Sequence, residues 1–236
     1  MTSSRTTYAA IRGRIDAAAA RAGHGAALLA VSKLQPAAAI RALADLGQRR
    51  FGENYVQECL AKQRELADLP LEWHLIGPLQ SNKCREVAEH FDWLDSLDRE
   101  KLVTLLNQHR PADKAPLNVL IQVNIDDEAS KGGCAPDAIA RLAALIAQAP
   151  RLQLRGLMAI PQPHPELDRR RVAFRRMRAL FDVLRTEHAA ADTLSLGMSD
   201  DFELAIAEGA TLVRIGTALF GSRKRGDGRR ETGEGM

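Results

Sequence analysis

Short segments of strand length, rich in apolar residues, alternate along the chain with longer segments in which apolar residues recur every three or four positions. The short segments are bounded by glycine, proline or polar residues, which is typical of strands buried on both faces of a sheet. Eight of them occur, at 28–33, 50–54, 73–77, 93–97, 119–125, 154–160, 193–198 and 212–215. Seven segments with helical spacing separate them, at 37–47, 56–67, 83–91, 100–109, 136–149, 171–184 and 200–209.

One further helix is predicted in front of the first strand. Its apolar positions Tyr8, Ile11 and Ile15 follow helical spacing, and Gly23 and Gly25 end it. Strands that alternate with helices pair in parallel, because each helical crossover returns the chain to the same end of the sheet. Eight such units predict an α/β fold, a single (β/α)8 TIM-type barrel with an extra N-terminal helix. An open doubly wound sheet is the alternative, but the chain has no G-x-G-x-x-G turn after an early strand.

Composition supports a single folded domain followed by a short tail. Of the 236 residues, 45% are hydrophobic but only 4% are aromatic, so the core is expected to be aliphatic. We predict one domain over residues 1–222 and a basic, glycine-rich, disordered tail over 223–236. The tail holds five Lys or Arg against three Asp or Glu, which leaves a nearly neutral body of 28 against 27. This balance does not indicate binding to nucleic acid or to a membrane surface.

Cysteine usage and hydropathy predict a cytoplasmic protein. The three cysteines, Cys59, Cys84 and Cys134, are widely separated, with no C-x-x-C spacing for a metal or a redox pair. They are expected to be reduced thiols. No apolar stretch approaches the roughly 20 residues that a membrane span needs, and the N-terminus lacks the apolar core of a signal peptide.

Polar residues lie where the predicted strands end. The carboxyl ends of all eight strands meet at one mouth of such a barrel, and this mouth is where its functional residues lie. Lys33 ends the first strand, Asn54 the second, and Arg214 lies on the eighth. The other polar or glycine residues at or near the mouth are His74, Asn124, Ser199, Gly216 and Thr217. A lone histidine is more often a satisfied structural residue, and we interpret His74 as one, at the rim.

The last two loops predict a phosphate site. The segment "GTALFG" is long enough for a short helix, whose first amides, on Gly216 and Thr217, would lack intrahelical partners. Such amides bind phosphate, and the loops after strands seven and eight often supply that site in barrels. The Ser199 hydroxyl would complete it, and Asp200 with Glu203 would form a capping box for the next helix. The alternative is that "GMSDD" is only a helix start.

Lys33 ends an apolar run, which is a costly place for an ammonium group. A lysine in a pocket of low dielectric constant loses its charge more readily, and a neutral amine can form a Schiff base with an aldehyde. The alternative is that Lys33 reaches solvent or pairs with a carboxylate. A lysine opposite a phosphate site is the arrangement that holds pyridoxal 5'-phosphate at both ends.

Six ordered blocks carry a resemblance to a known family. The blocks are "AVSKLQP", "FGENYVQE", "WHLIGPLQSNK", "VLIQVNIDDEASKGG", "LRGLMAIP" and "LSLGMSDDFELAIAEGATLVRIGTALFG", which run from about residue 28 to 221. They resemble the pyridoxal phosphate homeostasis protein family, whose barrel is similar to the N-terminal domain of alanine racemase. The pair Leu34-Gln35 departs from the family pattern, and its outward direction leaves the central residues unaffected.

The resemblance implies a cofactor site. In it Lys33 forms an aldimine with pyridoxal 5'-phosphate, while Ser199, Gly216 and Thr217 contact the phosphate. Arg214 would face the pyridine nitrogen, and Asn54 would lie beside the ring. Without the resemblance, an ion pair inside the barrel explains Arg214 equally well.

Three functions remain open from the sequence. The first is a cofactor carrier that takes part in pyridoxal phosphate homeostasis and delivery, a monomer that serves apoenzymes and is not itself an enzyme. The second is a weak enzyme that acts on amino acids with the same cofactor, of racemase, lyase or transaminase type. The third is an aldolase in which Lys33 binds a sugar phosphate. We favour the first, because the sequence offers no second domain and no obvious second acid or base. An arginine at the pyridine nitrogen also disfavours the proton that would make the ring an electron sink.

Overall fold

Eight parallel strands close into a barrel in sequence order, with helices around the outside. A computed structural model describes residues 2–128 and 132–221 of the chain. The strands are β1 Ala27–Val31, β2 Arg50–Glu53, β3 Glu72–Leu75, β4 Trp93–Leu97, β5 Leu117–Gln122, β6 Leu152–Met158, β7 Thr193–Ser195 and β8 Leu212–Ile215. The helices in this part of the chain are α1 Thr2–Ala22, α2 Ala37–Ala44, α3 Val56–Glu65, α4 Cys84–His90, α5 Glu100–His109, α6 Ile139–Ala147, α7 Leu167–Glu187, α8 Phe202–Ala207 and α9 Thr217–Phe220.

The main core lies between the barrel and its helices and is largely aliphatic, as the composition predicts. It joins strand residues such as Leu28 and Ala30 to helix residues such as Ile40 and Leu43. Helix α1 adds Ile11 and Ile15 to the same core and pairs with α8 through Arg14 and Glu203, whose atoms Nη2 and Oε2 are 2.9 Å apart. The predicted extra helix therefore packs against the barrel.

The inside of the barrel is more polar than the main core. A small apolar cluster of Trp93, Leu120 and Met158 is separate from that core. His74 stacks on Trp93, with 4.9 Å between the ring centroids. Strands β4 and β8 face each other across the closed barrel, so the attraction between Asp95 and Arg214 acts through its interior.

The predicted fold class is confirmed, and all eight strands occur, but several end earlier than predicted. Lys33 was expected on the first strand, whereas β1 ends at Val31 and Lys33 lies in the turn that follows. This turn forms because the Gln35 amide donates to the Ser32 carbonyl at 3.0 Å and Leu34 adopts a left-handed backbone with φ of 61°. Asn54 likewise lies one residue beyond β2. Both side chains are therefore carried by loops at the mouth.

The cysteines are buried free thiols, and burial raises the pKa of Cys84 and of Cys134 to about 11. None of the helices in the two described ranges is long and apolar enough to cross a membrane. The predicted disordered tail, 223–236, and the domain boundary at 222 lie outside the described residues.

Candidate functional site

A cavity of about 320 Å³ opens at the carboxyl ends of the strands. This volume is at the lower end of the range for small-molecule sites, about 300–1,000 Å³. All six residues that the sequence predicts for the site line this cavity: Lys33, Asn54, Ser199, Arg214, Gly216 and Thr217. The structure thus brings together side chains that are more than 180 positions apart in the chain, as the barrel topology requires.

One side of the cavity is formed by the start of α9 and the loop after β7. Gly216 is the residue before α9, and the first amides of a helix have no intrahelical acceptors. A Cβ at position 216 would lie 3.1 Å from the Val31 carbonyl oxygen, so a glycine allows β1 and β8 to approach closely here. Ser199 faces the same cavity from the neighbouring loop. Backbone amides and a hydroxyl group in this arrangement can bind an anionic group.

The loop before α8 differs from its prediction. Asp201, not Asp200, is the residue that precedes the helix, and its Oδ1 accepts a hydrogen bond from the Met198 amide at 2.7 Å. Glu203 pairs with Arg14 instead of forming a capping box with Asp200. Asp200 is exposed and lines the cavity. The capping-box prediction is wrong because the helix begins one residue later, which moves the required spacing off Glu203.

Arg214 is fixed inside the barrel by hydrogen bonds to the neighbouring strand β7 and to the residue that follows β6. Its Nη1 donates to the carbonyl oxygen of Ser195 at 2.9 Å and to the Ser195 hydroxyl at 2.6 Å. Its Nη2 donates to the Ala159 carbonyl at 2.8 Å. Burial lowers the pKa of Arg214 to about 10, against the opposing attraction of Asp95 and Asp201. The guanidinium is therefore charged at neutral pH and presents a rigid cation to the cavity.

Asn54 is held by close backbone packing. Its carbonyl oxygen would lie 2.2 Å from a Cβ at Gly77, so only a glycine fits at that position without a shift of the loop. The Ser96 hydroxyl donates to the Gly77 carbonyl at 2.6 Å and ties this loop to β4. The backbone of Asn54 is therefore packed against the loop of Gly77, which is in turn bonded to β4.

A buried ion cluster beside Lys33 was missed by the sequence reasoning. The Lys62 ammonium lies between the Glu53 and Glu58 carboxylates, with Nζ–Oε1 distances of 2.7 Å and 2.6 Å. The same ammonium donates to the Ser32 carbonyl at 2.8 Å. In the sequence Ser32 directly precedes Lys33, and Glu53 directly precedes Asn54. These positions next to predicted site residues were the signal that could have pointed to the ion cluster. No periodicity indicates that Lys62 would reach them.

Two other predicted mouth residues do not line the cavity. His74 is buried in the middle of β3, not at the rim, and lies between Asp95 at 3.0 Å and Glu72 at 3.1 Å. Burial lowers the pKa of His74, but the two carboxylates outweigh it, so the net shift is upward. The Asn124 side chain bonds the backbone of Glu128 and so shapes its own loop. Both residues have structural partners.

Comparisons of the sequence point to one family. Residues 7–224 match the family model for the alanine racemase N-terminal domain. The chain is 56% identical over 221 residues to the pyridoxal phosphate homeostasis protein of Pseudomonas aeruginosa, an alignment that covers 92% of this chain and 95% of that protein. The protein of the same name from Escherichia coli is also 56% identical, with coverage of 91% and 94%.

A solved structure is similar over nearly the whole barrel. PipY of Synechococcus elongatus with pyridoxal phosphate bound has a TM-score of 0.81 and 37% sequence identity, and the match covers 92% of this chain and 100% of that one. The similarity therefore extends over both the sequence and the arrangement of the strands.

Proposed function

The chain belongs to the pyridoxal phosphate homeostasis protein family, and from this membership we propose that it binds pyridoxal 5'-phosphate in the cavity at the barrel mouth. Relatives that match most of its length are named for pyridoxal phosphate homeostasis, and PipY has the cofactor bound. The protein takes part in the same homeostasis. The single observation that carries this proposal is the convergence of Lys33 and the start of α9 on one cavity.

The residues at the cavity fit the two reactive ends of this cofactor. The Gly216 and Thr217 amides with the Ser199 hydroxyl would bind the phosphate group. Lys33 would supply the amine that adds to the aldehyde carbon with loss of one water molecule, so that the cofactor is held as an imine. Asn54 would lie beside the ring, and Arg214 would face its nitrogen. Pyridoxal phosphate supplies an electron-withdrawing ring and an aldehyde when it is bound.

We propose that the protein holds the cofactor and does not turn over amino acids. Arg214 is charged at neutral pH and would disfavour a proton on the ring nitrogen, which carbanion chemistry needs. Neither tyrosine offers a proton donor at the cavity: the Tyr8 hydroxyl donates to Gln48 at 3.3 Å, and Tyr55 is exposed beside α3. An enzyme of racemase, lyase or transaminase type is the competing function. Sustained product formation from any L- or D-amino acid would establish it.

An absorbance spectrum of the purified protein tests the binding mode. We expect a long-wavelength imine band after addition of pyridoxal phosphate, and we expect Lys33→Ala to abolish it. Lys114→Ala, at an exposed lysine far from the cavity, serves as the control. An unchanged band in Lys33→Ala would contradict the assignment of Lys33.

Delivery to apoenzymes and a monomeric state complete the proposal. Activation of an apoenzyme by the loaded protein faster than by the same concentration of free cofactor would support delivery. Equal activation rates for the loaded protein and the free cofactor would contradict delivery and would favour storage of the cofactor instead. Sedimentation of the loaded protein at the mass of one 25.8 kDa chain would support the monomer.

A further inference from the structure

Lys62 is a buried lysine whose ammonium is fully engaged. It lies on α3 with a side chain that is 7% exposed. Its Nζ donates to Glu53, Glu58 and the Ser32 carbonyl, all within 2.8 Å. An ammonium has three N–H donors, so each of them is used. We call Lys62, Glu53 and Glu58 the buried triad.

The triad holds the residues on both sides of Lys33. Ser32 is bonded twice, since its carbonyl accepts from Lys62 and its hydroxyl donates to Glu53 at 2.5 Å. The Leu34 amide donates to Glu58 Oε1 at 2.5 Å. Three charge-assisted hydrogen bonds therefore clamp a turn whose central residue is Lys33.

The clamped turn has a backbone shape that needs support. Leu34 has φ of 61°, a left-handed conformation that few residues other than glycine adopt without strain. Its side chain is 59% exposed, so core packing does not impose this shape. The Leu34–Glu58 hydrogen bond and the Gln35–Ser32 turn are what hold it.

Loss of Lys62 from the triad would leave a buried carboxylate without its ion-pair partner. Glu53 is completely buried, and its Oε2 accepts no hydrogen bond from any residue in the described part of the chain. Burial raises the pKa of Glu53, while Lys62 and Ser32 lower it. Without Lys62 this carboxylate would face an apolar interior beside Cys59 unpaired, or it would take up a proton.

We propose that the buried triad of Lys62, Glu53 and Glu58 positions Lys33 for attack on an aldehyde by fixing the turn that carries it. This role rests on the proposed function of Lys33. Lys62, Glu53 and Glu58 are positioning residues, because each acts through Ser32 or Leu34. The triad controls how fast the imine forms and leaves the phosphate site unaffected.

The test separates imine formation from binding of the ring and phosphate. Pyridoxine 5'-phosphate carries an alcohol in place of the aldehyde, so it can occupy the cavity but cannot form an imine. We expect Lys62→Met to slow imine formation with pyridoxal phosphate by at least about tenfold, since small displacements of a reacting group cost this much. Its affinity for pyridoxine 5'-phosphate should stay within about twofold of the wild type. Lys83→Met is the matched control, because Lys83 makes a half-exposed ion pair with Glu86.

Three further variants keep the test valid if the unpaired Glu53 prevents folding. The double variant Lys62→Met with Glu53→Gln removes both charges together. The Ser32 carbonyl still loses the Lys62 ammonium and keeps the weaker donor, the Gln35 amide, so slow imine formation is again expected. Glu58→Gln keeps an acceptor for the Leu34 amide and should restore the rate to within about threefold of the wild type, whereas Glu58→Ala should not. Rates within about twofold of the wild type in Lys62→Met and in the double variant would overturn the proposal.

Hydrogen exchange of the Leu34 and Gln35 amides tests the triad without any cofactor. We expect these amides to exchange at least about tenfold faster in Lys62→Met and in Glu58→Ala. If the wild type forms no imine, the proposed function fails, and exchange alone then decides whether the triad fixes the turn. Unchanged exchange in these variants would overturn the triad. A parallel loss of imine formation and of pyridoxine 5'-phosphate binding would also overturn it, because the triad would then act on the whole cavity.

Discussion

Gly77 and Asn54 come so close that a Cβ at position 77 would lie 2.2 Å from the Asn54 carbonyl oxygen. The atom it would meet is backbone, which cannot rotate away as a flexible side chain can. The Ser96 hydroxyl holds Gly77 from the opposite direction through its carbonyl. A side chain at position 77 would therefore push Asn54 away from the cavity.

We expect Gly77→Ala to weaken cofactor retention and to lower the free energy of unfolding by about 2 kcal/mol, the usual cost of overpacking. Equilibrium dialysis and urea unfolding measure the two effects. Gly13→Ala is the control: Gly13 lies within α1, where a Cβ meets nothing within 4 Å. It should stabilise the protein by about 0.5–1 kcal/mol, since alanine favours the helix more than glycine does. Normal retention in Gly77→Ala would show that Asn54 does not contact the cofactor.

The phosphate assignment predicts a difference between two ligands. Replacing Ser199 and Thr217 together with alanine should weaken retention of pyridoxal phosphate by about tenfold or more. The variant keeps the Thr217 amide but loses the Ser199 hydroxyl and the hydroxyl of Thr217, which lines the same cavity. Affinity for pyridoxal, which lacks the phosphate, should change by less than about twofold. Isothermal titration measures both affinities. Thr186→Ala on the outer helix α7 is the control, because the exposed Thr186 hydroxyl donates to the Val183 carbonyl of the same helix.

An equal loss of affinity for pyridoxal phosphate and for pyridoxal would show that the phosphate group does not bind at Ser199 and Thr217. An unchanged melting temperature in the double variant is also expected, since Ser199 and Thr217 are not buried. A large loss of stability would instead show that the two hydroxyl groups support the loops themselves.

The apolar pattern of the sequence predicts which segments are buried more accurately than it predicts where the strands end. Apolar residues at 123, 125, 159 and 196 continue the strand-like segments, which made several predicted strands too long. In the structure Val123, Ile125, Ala159 and Leu196 are all buried, yet they follow the ends of their strands. An apolar pattern reports burial, and these four residues are buried although they lie beyond the strand ends. In β8 a glycine follows the apolar segment directly, and its predicted and observed bounds agree.

The candidate site could be predicted only where the residues lie next to a strand end. Lys33, Asn54 and Gly216 follow strands, so the barrel topology alone brings them together. Lys62 reaches Ser32 from α3, 30 positions away, and it lies on the buried side of that helix together with Val56 and Cys59. In the sequence, however, a helical lysine looks like any residue whose ammonium group extends to solvent. The Asp95 carboxylate that contacts His74 likewise comes from the next strand, 21 positions away. Contacts between elements leave no periodic signal in the sequence.

The interior histidine predicts a pH dependence of stability. His74 lies between Asp95 and Glu72, and Glu72 also pairs with Arg50 at 2.9 Å. The folded-state pKa of His74 is raised, so its charged form contributes stability that is fully present below the unfolded pKa of about 6.5. This contribution is lost as the pH rises from there through the folded pKa, at up to about 1.4 kcal/mol per pH unit.

Urea unfolding between pH 6 and pH 9 measures this loss. The difference in unfolding free energy between the wild type and His74→Gln should shrink as the pH rises, because the glutamine does not titrate. A difference that does not change with pH for His74→Gln would mean that His74 stays in one protonation state across this range.

The buried thiols predict slow cysteine chemistry in the folded protein. Only the thiolate reacts with disulfide reagents, and burial raises the pKa of Cys84 and of Cys134 to about 11. At pH 8 fewer than about 1 in 500 of these thiols would be ionised. Cys59, completely buried beside the Glu53 carboxylate, has a pKa raised further still.

We therefore expect an aromatic disulfide reagent to modify the native protein at a rate set by opening of the fold, with all three thiols reacting at once in urea. Adding pyridoxal phosphate should slow the native reaction of Cys59, since a bound ligand stabilises the folded state. Rapid modification of any of the three in the native protein would contradict their burial.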